Sequence, residues 1–165
     1  MTLSNIVRIA FFACLALTTG AALPACTIKQ VATPVAKDVL ATKPLAIVLV
    51  QNTAVRMSGF HGELERALTR RGFAVETKPM GADLSQFPLA MTYTANWSWD
   101  MDLYMSYAQL DVFRKGVKAG DAVYDSRGGS FHAAKFIDAD RKVDELVGEV
   151  FPGLAPPLPK PEALQ

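Results

Sequence analysis

The sequence has few of the residues that metal and thiol chemistry require. Its 165 residues include two cysteines, Cys14 and Cys26, and two histidines, His61 and His132. Cys14 lies in an N-terminal apolar segment that we expect to be removed, so Cys26 would have no disulfide partner within the chain. No His-Glu-x-x-His run or thiol pair remains to bind zinc. We therefore expect no metal site and no cofactor.

The net charge is also close to zero, which argues against nucleic acid and anionic lipid as partners. The chain has 17 Lys and Arg against 16 Asp and Glu, a formal net charge of +1. This balance provides no basic surface for nucleic acid and no polybasic patch for anionic lipid. After the N-terminal segment, no apolar run approaches the roughly 20 residues that span a bilayer. Membrane attachment must then come from something other than charge or a spanning helix.

The first 25 residues have the order of a secretory signal peptide. A short start that ends in Arg8 precedes the apolar residues 9–19, and small residues follow. Residues 23–26, Leu-Pro-Ala-Cys, are similar to a bacterial lipobox. That resemblance implies cleavage before Cys26 and acylation of Cys26, for example with palmitate, and two or three acyl chains give durable membrane binding. The alternative is an ordinary signal peptide cut after Ala25, which leaves a free thiol.

The residue after the predicted lipidation site also predicts the cellular location. Thr27 follows the cysteine where lipoproteins retained at the inner membrane usually have Asp, so the outer membrane, with the domain facing the periplasm, is favoured. We divide the chain into four parts: a signal peptide (residues 1–25), the lipidated Cys26 with a tether (26–44), an α/β domain (45–153) and a Pro-rich tail (154–165). The apolar residues of the tether leave open that part of it packs on the domain.

Apolar patterns predict the elements of this domain. Leu45–Val50 is a continuous apolar run, typical of a strand buried on both faces. Residues 58–71 have a helical apolar stripe that begins at Ser58, and Gly72 suits the left-handed end of that helix. Phe73–Lys78 is a second strand. A strand, a helix and a strand with short links indicate a parallel pair joined by a right-handed crossover.

The second half of the domain predicts an antiparallel arrangement. Residues 91–100 alternate with a period of two, residues 103–114 follow as their partner, and residues 117–124 form another strand. The apolar phase of the middle strand shifts near Tyr107-Ala108, which indicates a β-bulge. A last helix is capped by Asp138. The order β-α-β-β-β-β-α predicts an α+β two-layer sandwich, a mixed sheet with two helices on one face.

Residues 125–129, Asp-Ser-Arg-Gly-Gly, are the main candidate for a binding site. They end the last predicted strand, and a turn alone would explain Asp125 and the glycines. A functional interpretation is that Ser126, the Arg127 guanidinium and nearby backbone N–H groups hold a carboxylate or a partner's backbone. A Ser-His-Asp triad from Ser126, a histidine and an aspartate has no supporting nucleophile-elbow sequence.

Aromatic residues are concentrated between residues 93 and 107, which contain two Trp and three Tyr. Trp97 and Trp99 share the phase of the predicted core face, so burial is the simplest interpretation. A recognition surface is the alternative, because Trp and Tyr are common binding anchors. Tyr104 is out of phase with its apolar neighbours, so we expect it to face outward.

Several of these runs resemble a family of small uncharacterised lipoproteins of Gram-negative bacteria. The resemblance covers roughly residues 45–153 and rests on TYTANWSWD (92–100), YMSYA (104–108), YDSR (124–127), KF (135–136) and FPG (151–153). It implies a lipid anchor, in agreement with Cys26, and it implies no activity. A further likeness, to small α/β domains of envelope lipoproteins that bind proteins, is an analogy of fold.

These observations predict a lipid-anchored envelope protein that binds or assembles with an envelope protein partner and is not an enzyme. Its candidate binding residues are Tyr104, Asp125, Ser126 and Arg127. Two alternatives remain open: a small periplasmic enzyme that uses Asp125, Arg127 and His132, and a purely structural envelope component.

Overall fold

The computed structural model describes residues 28–41, 45–57, 59–100, 102–128 and 138–154. They form a mixed six-stranded sheet and two α-helices, which confirms the predicted α+β fold. The spatial order of the strands is β1-β6-β5-β4-β2-β3. The elements are β1 (Lys29–Thr33), β2 (Leu45–Val50), α1 (Gly59–Arg70), β3 (Phe73–Lys78), β4 (Ala90–Asp100), β5 (Asp102–Arg114), β6 (Val117–Asp125) and α2 (Ala139–Val150).

Strand β2 lies between two parallel neighbours, β3 and β4. Its apolar run is buried on both faces, as predicted: Ile47 and Leu49 belong to the main core, whereas Val48 and Val50 form a second cluster with Ala90. The chain leaves β2 through α1 to β3 on one side and then returns to β4 on the other. The sheet therefore has a topological switch point at the carboxyl end of β2.

Strands β4, β5 and β6 form an antiparallel meander. Asn96 pairs with Tyr107 and Trp97 pairs with Met105, so Ser106 is the extra residue on β5. The predicted β-bulge is thus confirmed, one position before Tyr107. It lets both halves of β5 keep their apolar residues on the helix side of the sheet.

The ends of β4 and β5 extend beyond the rest of the sheet. The pairing of β5 with β6 begins at Tyr107, and β4 pairs with β2 only at Ala90 and Met91. Residues 97–100 and 102–106 therefore have no third strand beside them in the described part of the chain. We call this two-stranded extension the arm.

Both helices pack on the sheet through one hydrophobic core. Leu64 and Leu68 of α1 and Leu146 of α2 are fully buried in that core, together with Tyr124 of β6. Asp138 caps α2 as predicted, since its carboxylate accepts a hydrogen bond from the backbone N–H of Asp140 at 3.0 Å. Ser58, the predicted cap of α1, lies outside the described residues. No helix in the described ranges is long and apolar enough to cross a bilayer.

Part of the predicted tether is packed on the domain. Lys29–Thr33 forms β1, an edge strand antiparallel to β6, and Val35 is buried in the core. Gln30 joins this strand to α2: its Nε2 donates to Glu145 at 2.7 Å and to Glu149 at 2.6 Å, and its Oε1 accepts from Lys142. The domain therefore includes residues 29–35, which precede the start at residue 45 that the sequence pattern indicated.

Candidate functional site

Asp125 and Arg127 form a local ion pair where β6 ends. Arg127 Nε donates to Asp125 Oδ1 at 2.9 Å, and Nη2 donates to Oδ2 at 2.6 Å. The backbone N–H of Arg127 also donates to Asp125 Oδ1 at 3.0 Å, which closes a turn. The hydrogen bonds from Arg127 lower the pKa of Asp125 to about 2. The acid of the predicted site is therefore ionised at neutral pH and oriented by the arginine.

The Arg127 guanidinium rests on an aromatic ring. Its Cζ lies 4.4 Å from the centroid of the Tyr107 ring, a distance typical of a cation–π contact. Tyr107 stands on the face of β5 away from the helices, with its hydroxyl donating to Gln109 Oε1 at 2.5 Å. Although it is held by Asp125 and Tyr107, the Arg127 side chain remains 56% exposed. The site presents a guanidinium in a fixed orientation to solvent.

Ser126, the middle residue of the predicted site, points into the protein. It is fully buried, and its hydroxyl donates to the carbonyls of Met105 and Ser106 at 3.3 and 3.2 Å. Its backbone N–H donates to the Ser106 carbonyl at 2.9 Å. Ser126 thus fastens the end of β6 to the bulge and cannot contact a partner directly.

Two of the aromatic expectations are wrong. Tyr104, expected to face outward, is only 9% exposed. Trp99, expected in the core, is 75% exposed because the arm carries it beyond the helix layer, although its phase is that of the core face. Trp97 is partly buried as expected and packs edge-on against Phe60, with ring centroids 5.5 Å apart.

The described structure contains two of the three residues of the enzyme alternative. Asp125 and Arg127 form the ion pair, whereas His132 lies outside the described residues, as does Gly129. His61 is described, and it lies in α1 in contact with Tyr93 and Thr77 instead of Ser126. Among the described residues there is also no group of three or more His, Cys, Asp or Glu side chains that could hold a metal ion.

A second polar cluster, which the sequence did not indicate, lies at the carboxyl ends of the parallel strands. His61 Nδ1 is 3.0 Å from the Tyr93 hydroxyl, and His61 Nε2 is 3.1 Å from Thr77 Oγ1. Asn52 fixes Tyr93 twice: its backbone N–H donates to the Tyr93 hydroxyl at 3.2 Å, and its Nδ2 donates to the Tyr93 carbonyl at 2.9 Å. These four residues come from three separate elements and a loop, so no local sequence motif predicts the cluster.

Two open cavities of about 340 Å³ each adjoin this cluster at the switch point. Asn52 and Tyr93 line both, and His61 and Arg56 line one of them. Crevices at this position of an α/β sheet commonly bind ligands. Burial raises the pKa of Tyr93, which keeps its hydroxyl protonated. Because the described polar groups bond to one another, the cluster is already explained by its role in holding the β2–α1 loop.

Comparison with known proteins finds partial matches to solved structures at low sequence identity. No family model and no curated protein matches the chain. Among solved structures, a PelC dodecamer of a single-substitution variant from Paraburkholderia phytofirmans matches with a TM-score of 0.48 and 13% identity, over 76% of this chain and 98% of that chain. Another crystal form of the PelC dodecamer from the same organism matches with a TM-score of 0.46 and 11% identity, over 75% and 94%.

Proposed function

We propose that the chain is a lipid-anchored, periplasm-facing envelope protein that binds a partner protein and catalyses no reaction. The anchor is supported by the signal-peptide order of the first 25 residues and by the lipobox-like Leu-Pro-Ala-Cys that ends at Cys26. An outer-membrane location is supported by Thr27. The family resemblance over residues 92–100 and 124–127 supports the same class of protein.

The presentation of Arg127 is the observation that carries the binding role. A surface arginine usually samples many rotamers, and ordering it costs free energy when a partner binds. Here Asp125 and the Tyr107 ring already hold the guanidinium while more than half of the side chain faces solvent. Two of its five N–H donors go to Asp125, which leaves three for a carboxylate or backbone carbonyl of a partner.

The residues around Arg127 fit the composition of a protein interface. Arginine and tyrosine are the residue types that most often supply binding energy at such surfaces. The pair lies at the edge of the polar face of β5, on which Tyr107, Gln109 and Asp111 form a hydrogen-bonded row. This row is anchored by Lys118, 2.7 Å from Asp111. The proposed surface is therefore ordered before a partner arrives.

The test is recovery of an envelope partner by the full-length, lipidated protein after cross-linking and detergent extraction. Arg127→Ala should reduce recovery at least several-fold with an unchanged melting curve, because the ion pair it removes is exposed to solvent and adds little to stability. Arg127→Lys should restore little, since a point charge cannot replace the planar guanidinium. Arg141→Ala, at an exposed position in α2, is the matched control.

Two results would contradict this role. Equal recovery with Arg127→Ala and Arg141→Ala would show that Arg127 is merely a solvated side chain. A large loss of stability with Arg127→Ala would show that the residue maintains the fold and that any loss of recovery is indirect.

A further inference from the structure

The tip of the arm exposes two large apolar side chains that face each other across the strands. Trp99 is 75% exposed and Leu103 is 51% exposed, and the two residues are cross-strand partners. The base of the arm, in contrast, is packed: Met105 is 3% exposed, and Trp97 contacts Phe60 at the start of α1. The apolar tip is thus held out from the domain on a fixed base.

The position of β1 relates this tip to the proposed anchor. Lys29 pairs with Asp125, Asp125 pairs with Tyr107, and Tyr107 pairs with Asn96, so the start of β1 lies level with the start of the arm. Because β1 is antiparallel to β6 and β6 is antiparallel to β5, β1 runs in the same direction as β5. The chain ahead of Lys29 therefore enters the sheet from the end at which the arm projects.

The link from Cys26 to Lys29 and the arm from Asn96 to Trp99 have similar lengths. Cys26 precedes Lys29 by three residues, which reach at most about 10 Å. Trp99 follows Asn96 by three residues, which span about 10 Å of strand. Acyl chains on Cys26 would hold the membrane surface within about 10 Å of Lys29. Trp99 projects about the same distance beyond Asn96, so it can reach the membrane surface. A link this short puts the arm at the end of the domain that lies nearest the bilayer.

We propose that Trp99 and Leu103 rest in the interfacial region of the leaflet that holds the acyl chains of Cys26, so that the arm is a second membrane contact. The proposal depends on the lipid anchor proposed above and names the membrane surface as the occupant of this apolar tip. An indole ring suits that depth, because it has a large apolar body and an N–H that stays hydrated. Leu103 adds aliphatic area beside it.

The acidic charge next to Trp99 and Leu103 determines which lipid headgroups the tip can approach. Asp102 is exposed next to Leu103. Its carboxylate opposes deep insertion and attraction to anionic lipid. The contact is therefore shallow, and it is driven by the apolar pair on a zwitterionic surface.

The experiment measures tryptophan fluorescence of the full-length lipidated protein in phosphatidylcholine vesicles, with and without brominated acyl chains. In Trp97→Phe, Trp99 is the single reporter, and we expect blue-shifted emission and strong quenching by brominated lipid. In Trp99→Phe, Trp97 is the reporter, and we expect little quenching. The difference between wild type and Trp99→Phe gives the same result if Trp97→Phe does not fold. Anionic phosphatidylglycerol should not increase the quenching.

Several outcomes would overturn the proposal. If Trp99 is quenched by aqueous acrylamide and not by brominated lipid, the tip stays in water. If neither reagent quenches it, a protein or a second copy of the chain covers the tip instead of lipid. An increase in quenching with phosphatidylglycerol would show that charge drives the contact. The mass of the purified protein reports acylation of Cys26 beforehand, so failure of the anchor is distinguished from failure of the arm.

Discussion

Ser126 closes the β-bulge at Ser106. The backbone N–H of Ser126 donates to the Ser106 carbonyl at 2.9 Å, and its hydroxyl lies 3.2 Å from the same oxygen. Ser106 in turn donates its own hydroxyl to the Asn96 carbonyl at 3.2 Å. At the bulge the regular strand pairing is interrupted, and these hydrogen bonds from Ser126 and to β4 replace it. They hold the base of the arm in place.

Removing the Ser126 hydroxyl should destabilise the fold. Ser126→Ala removes the hydroxyl that donates to the buried Met105 carbonyl, which costs about 1–3 kcal/mol, while the Ser106 carbonyl keeps the backbone N–H of Ser126. Ser98→Ala, on the half-exposed arm, should change the free energy of unfolding by less than about 0.5 kcal/mol. Urea denaturation of both variants measures the difference. Equal midpoints would mean that the hydroxyl of Ser126 does not stabilise the bulge.

The two tryptophans should differ in their contribution to stability, although they are two residues apart on one face of β4. Trp97→Ala removes the edge-on contact with Phe60 and should cost about 2–3 kcal/mol, somewhat below the loss of a fully buried Trp. Trp99→Ala should cost less than about 0.5 kcal/mol in the absence of membrane. Thermal melts of the soluble domain check this, and a comparable loss in both would place Trp99 in the folded core.

Stability should fall on acidification because of an ion pair between the helices. Arg71, whose side chain is 4% exposed, donates to Asp144 Oδ1 at 2.7 Å and, with Arg70, lowers the pKa of Asp144 to about 2. A lowered pKa gives stability that is present above about pH 4 and is lost as the pH falls towards 2. Asp144→Asn should cost about 1.5–3 kcal/mol at pH 7 and reduce that acid dependence.

Asp125 provides the matched control for this pH effect. Its pKa is also lowered to about 2, but its partner Arg127 is 56% exposed. Solvent screening reduces the value of such a pair, so Asp125→Asn should cost about 0–1 kcal/mol. Urea denaturation at pH 7 and pH 3 compares the two variants. The same loss in both would show that burial of the arginine does not set the strength of these pairs.

The anchor makes a prediction of its own. Cys26→Ser should abolish incorporation of labelled palmitate and move the protein from the membrane fraction to the soluble fraction, because serine lacks the thiol that accepts diacylglycerol. Fractionation after metabolic labelling measures both effects. Label in the variant, or none in the wild type, would favour the ordinary signal peptide cut after Ala25.

Much of the fold could be predicted because strong periodicity is local. The period of two in β4, the phase shift in β5 and the apolar stripes of both helices are present in consecutive residues. β1 was missed because it is a short edge strand that is exposed at four of its five positions, so no apolar pattern marks it. Its identity depends on pairing with β6, which is about 90 residues away in the sequence.

The candidate site was predicted only as far as neighbouring residues allowed. The sequence places Asp125 and Arg127 two residues apart, but their ion pair with each other was not predicted. The contact of Arg127 with Tyr107 depends on the register between β5 and β6, which the sequence does not reveal. Tyr104 was expected to be exposed, and it is buried. The alternation of side chains along a strand predicts which face a residue lies on, but it does not predict whether other residues cover that face.

The short edge strand also determines how the domain responds to mechanical load. Hydrogen bonds between antiparallel strands lie perpendicular to the strand direction. A pull on the chain ahead of Lys29, along that direction, therefore shears the five residue pairs of β1 and β6 together instead of opening them one at a time. Force that arrives from the N-terminal side is therefore taken up first by these paired residues, before it reaches the core at Val35.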